Sequence, residues 1–157
     1  MRLAVCSLAA LLMLSACGDG GDSAPDQAAA PAPVTDAEKQ ARLASLPAPY
    51  NAADLANGQR RFAMCRSCHT LTEGGSNMTG PNLHELFGQR AGHEGDYKYS
   101  DALKASGITW DAATLDKWIE NPRGVVPGTK MAFAGIKDPK DRIDLIGYLM
   151  AEVGSTK

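Results

Sequence analysis

Cys65-Arg66-Ser67-Cys68-His69 is the stretch on which the reading of this 157-residue chain turns. Two cysteines two residues apart, followed at once by histidine, form the attachment pattern of a c-type haem. At helical spacing Cys65 and Cys68 stand one turn apart and project the same way. Each thiol can add to one vinyl group of a porphyrin, and His69 then lies under the ring, where an imidazole nitrogen can bind iron. A zinc site asks for about four ligands, and the other two cysteines, Cys6 and Cys17, lie in the leader. A dithiol redox motif expects a βαβ setting, and no stretch after residue 50 alternates apolar and polar residues as a strand would. Either of those two readings predicts a protein without visible absorption.

On both sides of the motif, helix signals recur. Asp54 can cap a helix whose Leu55, Gly58, Phe62 and Cys65 share one face. Ser100 can cap a short helix through Ala105, stopped by Gly107. Asp111 can cap another through Ile119, halted by Asn121-Pro122. Asp138 and Pro139 open a last helix with Pro at its favoured first position. Ile143, Ile146, Leu149 and Val153 form its apolar stripe, and Gly154 ends it. The fold class expected is all-α. The Gly-rich loops 70–99 and 121–137 are long for a compact domain and need something to pack against. A large bound cofactor supplies it.

The N-terminal third has a different composition. Arg2 precedes an apolar run from Leu3 to Cys17, the pattern of a signal peptide over residues 1–16. That run is too short to span a bilayer, which takes about 20 apolar residues. Residues 18–33 are Gly, Ala, Pro, Ser, Asp, Gln and little else, a composition that cannot order itself by burying apolar surface. Residues 17–49 read as a tether, with a short helix over 36–45 suggested by Thr35 and Glu38 at capping-box spacing and ended by Pro47 and Pro49. Residues 50–157 form the compact domain. The tether holds five acids against two bases, and the domain thirteen of each, so the tail is acidic and the domain neutral. Nothing in this balance supports nucleic-acid binding.

Two resemblances extend the reading. Leu14-Ser15-Ala16-Cys17 is similar to the bacterial lipoprotein processing box, which implies a lipid on Cys17 as the new N-terminus. Residues 51–153 resemble class I cytochrome c, the mitochondrial and bacterial periplasmic type. The stretches that carry the likeness are Gly58 to Phe62, CRSCHT, TGPNLHELFG, YKYSDALKASGITW, ENPRGVVPGTKMAFAGIK and DLIGYLM, in the family's order and spacing.

The resemblance implies helices and long loops wrapped around one covalent haem, with Cys65 and Cys68 attaching it and His69 and Met131 as axial iron ligands. Pro81 looks like the proline whose carbonyl accepts the proton of the other His69 ring nitrogen. Tyr99 and Trp110 look like donors to a buried haem propionate, and Thr129 is a further candidate. Gly58 and Phe62, with Leu145 and Tyr148, look like the contact between first and last helices. From the residues alone, Met64 is too close to the attachment turn to reach the far face and Met150 suits core packing, which leaves the loop residue Met78 as the rival to Met131. His84 and His93 read as exposed loop residues.

Three positions depart from the family pattern. Gln89 stands where an Arg often sits beside the propionates, with Arg90 next to it. Leu103 stands where an Asn often joins a water network on the Met side. Trp118 stands at the cavity wall where a Tyr often bonds the Met sulfur.

The function implied is that of a monomeric electron carrier and not an enzyme. It would take an electron from a cytochrome bc-type donor and pass it to a terminal oxidase or other acceptor, while held by its lipid on the periplasmic side of a bacterial membrane. The alternative is a haem-based peroxidase or sensor with an open distal site, which requires Met131 to be off the iron.

Overall fold

The computed structural model describes residues 33–154. The signal peptide, Cys17 and the tether up to residue 32 lie outside the described residues. Among the described residues six helices follow one another: α1 Asp36–Ser45, α2 Leu55–Phe62, α3 Asp101–Ala105, α4 Ala112–Glu120, α5 Pro122–Val125 and α6 Pro139–Val153, with one 3-10 turn at Tyr50–Ala52. Among the described residues there is no strand, only one bridge between Arg90 and Thr109. The chain is all-α, as expected. No helix among the described residues is long and apolar enough to cross a membrane.

Side-chain caps explain where these helices begin. The carboxylates of Asp54, Asp111 and Asp138 and the hydroxyl of Ser100 accept first-turn N–H groups of α2, α4, α6 and α3, which satisfies donors that have no partner within the helix. Asn121-Pro122 halts α4 at Glu120, as expected, and Pro122 also opens α5. Asn121 bridges the two helices by accepting the Gly124 N–H at 3.1 Å, and Pro costs nothing at a first helical position.

The frame is the crossing of α2 and α6. A Cβ on Gly58 would lie 2.2 Å from the Asp144 carbonyl oxygen and 2.5 Å from the Tyr148 Cβ. Phe62 stacks on Tyr148 with ring centroids 5.9 Å apart. Leu145 and Ile146 are fully enclosed beneath them. Gly58→Ala adds helix propensity worth about 1 kcal/mol, but the obstacle is backbone and cannot rotate away. The expected outcome is a net loss of about 1–3 kcal/mol in denaturant unfolding, typical of overpacking.

Helix α1 corrects the expected boundary at residue 50. Its capping box is formed, with Thr35 Oγ1 accepting the Glu38 N–H at 3.3 Å and Glu38 accepting the Thr35 N–H at 2.8 Å. The helix is docked on α6 rather than free: Leu43 and Leu46 are buried, Lys39 pairs with Glu152 at 2.6 Å, and the Arg42 guanidinium donates to the carbonyls of Ala151 and Glu152 at 3.1 and 2.9 Å. Those carbonyls end α6 and have no partner of their own in the helix. The compact part therefore starts near Thr35.

Beneath the crossing, Asp144 is only 1% exposed. It accepts the N–H of Asp54 at 2.9 Å, the amide of Asn57 at 2.8 Å and the ammonium of Lys140 at 2.7 Å. The same carboxylate thus ties the start of α2 to the middle of α6.

Candidate functional site

Helix α2 stops at Phe62, and the attachment segment continues it as hydrogen-bonded turns rather than as helix. The Cys65 and Arg66 N–H groups donate to the Phe62 carbonyl at 2.8 and 3.1 Å, and those of Cys68 and His69 to the Cys65 carbonyl at 2.9 and 3.0 Å. The one-turn spacing expected of Cys65 and Cys68 is kept by these bonds. Cys65 and Cys68 are not joined in a disulfide. Burial, and then the neighbouring Cys68, pushes the Cys65 thiol up to about 11.

Cys65, Cys68 and His69 all line a single cavity of about 330 Å³ whose wall is mostly apolar. His69 is fixed in it from behind. Its Nδ1–H donates to the Pro81 carbonyl at 2.7 Å, which leaves Nε2 as the nitrogen able to bind a metal. Burial lowers the proton affinity of this ring and the Pro81 carbonyl partly opposes it, so the neutral, ligating form is favoured. Gly80 lies flat against the imidazole, where a Cβ would sit 2.3 Å from Cε1. Asn82 holds the surrounding loop: its side-chain amide donates to Thr70 Oγ1, the Thr72 carbonyl and the Gly75 carbonyl, and its Oδ1 accepts the His84 N–H.

Met131 lines the same cavity from the loop before α6. That loop is pinned at both ends. Lys130 donates to the carbonyls of Lys98 and Tyr99 at 2.7 and 3.4 Å. Further on, the Ile136 N–H donates to the Ile119 carbonyl at 3.0 Å. Arg142, paired with Asp116 at 2.7 Å, donates to the carbonyls of Ile136 and Lys137. Thr129 Oγ1 accepts the Met131 N–H at 3.2 Å. The rival Met78 is half exposed and does not line the cavity, Met64 lines it but is half exposed, and Met150 is buried in α6 away from it.

The remaining candidates converge on the same space. Pro81, Tyr99, Trp110, Trp118 and Thr129 all line it. The two tryptophans meet edge to face at 5.3 Å. Tyr99 stands edge-on to Tyr97 at 4.7 Å, and its hydroxyl is pushed up to about 12 by burial first and by the Glu94 carboxylate second. Of the three departures, Leu103 and Trp118 form buried apolar wall, whereas Gln89 lies outside the lining and so does the exposed Arg90.

The reading of His84 and His93 as exposed is corrected. His84 is partly buried and donates from Nδ1 to the Leu71 carbonyl at 3.1 Å. His93 lines the cavity with its side chain 20% exposed, and both of its ring nitrogens are buried without a hydrogen-bond partner in the protein. Tyr97 was also missed, although it lines the cavity and its hydroxyl donates to the Thr79 carbonyl. Its place two residues before Tyr99 was the available signal. For His93 no pattern in a Gly-rich loop distinguishes an inward from an outward imidazole.

Two thiols, one imidazole with its second nitrogen already committed, and one thioether on a shared apolar cavity are a donor set that suits an iron porphyrin. Among the described residues no cluster of His, Cys, Asp and Glu could hold a metal on its own. Fold and site together define an α-helical haem protein whose polypeptide carries both the attachment and the ligand groups.

Comparison with known proteins narrows that class. The cytochrome c family model matches residues 55–151. Cytochrome c2 of Rhodomicrobium vannielii is 46% identical over 105 residues, covering 67% of this chain and 84% of that protein. Cytochrome c of Arabidopsis thaliana is 52% identical over 100 residues, covering 63% and 89%. Among solved structures, cytochrome cH from Methylobacterium extorquens is similar with a TM-score of 0.58 and 47% identity, covering 62% of this chain and 97% of that one. The chain belongs to the cytochrome c family, with the cytochrome c fold and a covalently bound haem c. Members of that family are electron carriers rather than enzymes.

Proposed function

We propose that this chain shuttles single electrons between membrane complexes, from a cytochrome bc-type donor to a terminal oxidase or similar acceptor, while anchored on the periplasmic side of a bacterial membrane by a lipid on Cys17. The observation that carries the carrier reading is the convergence of Cys65, Cys68, His69 and Met131 on one apolar cavity. Bound haem supplies a one-electron change of its iron. The polypeptide does the rest. Cys65 and Cys68 would hold the porphyrin by thioethers, Pro81 orients His69, and Met131 would give the iron a thioether ligand. With His69 and Met131 both on the iron, substrate would find no iron site, which disfavours the peroxidase or sensor alternative. Tyr99, Trp110 and Thr129 offer hydrogen bonds to the haem carboxylates.

Partner encounter follows from charge. The compact domain is nearly neutral, with as many acids as bases. Long-range steering is then weak, and confinement supplies what charge does not. With α1 docked, the stretch between Cys17 and the docked domain shortens to residues 17–34, and a flexible chain of that length would span roughly 23 Å. Met64 at the cavity rim and exposed Met78 offer adaptable apolar contact.

The test is fractionation combined with kinetics. Cys17→Ser is expected to move the protein from membranes to the soluble or unprocessed fraction with its haem spectrum unchanged. Electron transfer to a membrane oxidase is expected to vary little with ionic strength and to drop severalfold when the domain is cut free. Equal membrane retention of the variant overturns the anchor. A steep fall of rate with salt, or undiminished turnover by the free domain, overturns confinement as the means of encounter.

A further inference from the structure

We propose that Asp116 on α4 is a positioning residue for Met131: acting through Arg142, it holds closed the loop that brings the thioether to the cavity. The proposal rests on the reading of Met131 as an iron ligand and names the group that keeps it in place.

The segment after Met131 has little of its own to hold it. Residues 132–135 make no backbone hydrogen bond, although Ala132 and Phe133 line the cavity beside Met131. Such a stretch opens at low cost unless its ends are fixed. The fixing is done at the end of α4, whose last carbonyls have no partner within the helix. The Ile119 carbonyl accepts the Ile136 N–H at 3.0 Å, and the Glu120 carbonyl accepts the Lys137 ammonium at 2.6 Å. Gly135, at φ +89°, lies flat on the same Glu120 carbonyl, where a Cβ has no room.

Arg142 closes this catch from α6. It is only 7% exposed, and it donates to the Ile136 and Lys137 carbonyls at 3.1 and 2.9 Å. Two carbonyl dipoles do not offset a guanidinium taken out of water, whereas a carboxylate does. Asp116 supplies that carboxylate in a two-point contact, accepting Nε–H at 2.7 Å and Nη2–H at 3.4 Å. The other acid nearby, Glu120, stands 4.0 Å from Nη1 with its side chain half exposed, beyond a hydrogen bond. Without Asp116 the buried charge is uncompensated, and the guanidinium turns from the two carbonyls toward Glu120 and water. The exposed Lys137 ammonium is then the one cation left at this end of the loop.

The consequence is a shift between two arrangements of one loop. In the closed one Met131 faces the cavity, and in the open one the second axial position is free. A small external ligand takes that position only in the open arrangement, so its apparent affinity reads the open fraction directly.

The experiment titrates imidazole into the oxidised full-length holoprotein and follows the loss of the far-red sulfur-to-iron band. It compares wild type, Asp116→Ala, Asp116→Glu and Asp144→Ala, with amide exchange at Ile136 measured on the same samples. We expect imidazole to bind Asp116→Ala about tenfold more tightly, and the Ile136 N–H to exchange faster by a similar factor, a size usual for a residue that biases a coupled equilibrium from outside the site. Asp116→Glu restores the carboxylate and should stay close to wild type. Asp144→Ala weakens the α2–α6 contact but not the loop, and should leave imidazole affinity unchanged. Wild-type imidazole affinity in Asp116→Ala overturns the proposal. An equal rise in Asp144→Ala also overturns it, because the effect is then a general loosening of the fold. If Asp116→Ala does not accumulate as holoprotein, Asp116→Asn is judged by the same criterion. A wild type that lacks the far-red band overturns the ligand reading itself, a separate failure from an unmoved Asp116→Ala.

Discussion

Met131→Ala is expected to leave the haem attached through Cys65 and Cys68 while opening the second axial position. The weak far-red absorption band of sulfur on iron should vanish. The reduction potential should fall by on the order of a hundred millivolts or more, a modest part of the ~0.8 V that axial ligands span. Peroxidase activity should appear, because peroxide then reaches the metal. The fold should survive, since the loop that carries Met131 is held by Lys130 at one end and by Arg142 at the other, not by the Met side chain. An unchanged spectrum would show that Met131 is not the ligand. Its rivals are poorly placed to take over: Met78 lies outside the cavity lining and Met64 sits beside the attachment turn.

A second large effect is expected at Asp144. Asp144→Ala removes the acceptor for the Asp54 N–H, the Asn57 amide and the Lys140 ammonium. Lys140 reaches water, so its loss is small. The Asp54 N–H and one hydrogen of the Asn57 amide, whose other hydrogen Asp141 accepts at 2.9 Å, sit in the α2–α6 contact, and stranding them should cost about 2–4 kcal/mol in denaturant unfolding near neutral pH. Burial raises this carboxyl's proton affinity, but hydrogen bonds from Lys140, Asn57 and the Asp54 N–H outweigh it and leave the group below its ordinary value. A depressed folded-state value means that the stabilisation is complete above the unfolded value of about 3.9 and is lost as pH falls through the folded one. The gap between wild type and Asp144→Ala should therefore be constant from neutral pH down to about 5 and close below about 4. A gap that persists unchanged at pH 2 would mean that packing, not the ionised carboxylate, is responsible.

Much of the site was legible because its chemistry is local. The attachment motif occupies five consecutive residues. Pro81, twelve residues beyond His69, was named only through the family resemblance. Asp54, Ser100, Asp111 and Asp138 announced their helices because a cap acts within one turn of itself. What escaped depended on distant contacts. The docking of α1 rests on Leu43, on Leu46 just past its end and on Arg42 meeting the far end of the chain, and a single leucine in a polar decapeptide carries little periodic signal. Helix α5 escaped because Pro122 can end one helix and begin another at once, and Asn121 supports the second through its own bond. His93 escaped because loop composition says nothing of the direction a ring takes.

The docking of α1 also has a mechanical consequence. A pull on the chain from its N-terminal side meets α1 before any residue that lines the cavity, because α1 holds the end of α6 through Lys39, Arg42, Leu43 and Leu46. Release of that grip would add the ten residues of α1 to the extended chain, while the turns bearing Cys65, Cys68 and His69 and the loop bearing Met131 keep hydrogen bonds of their own.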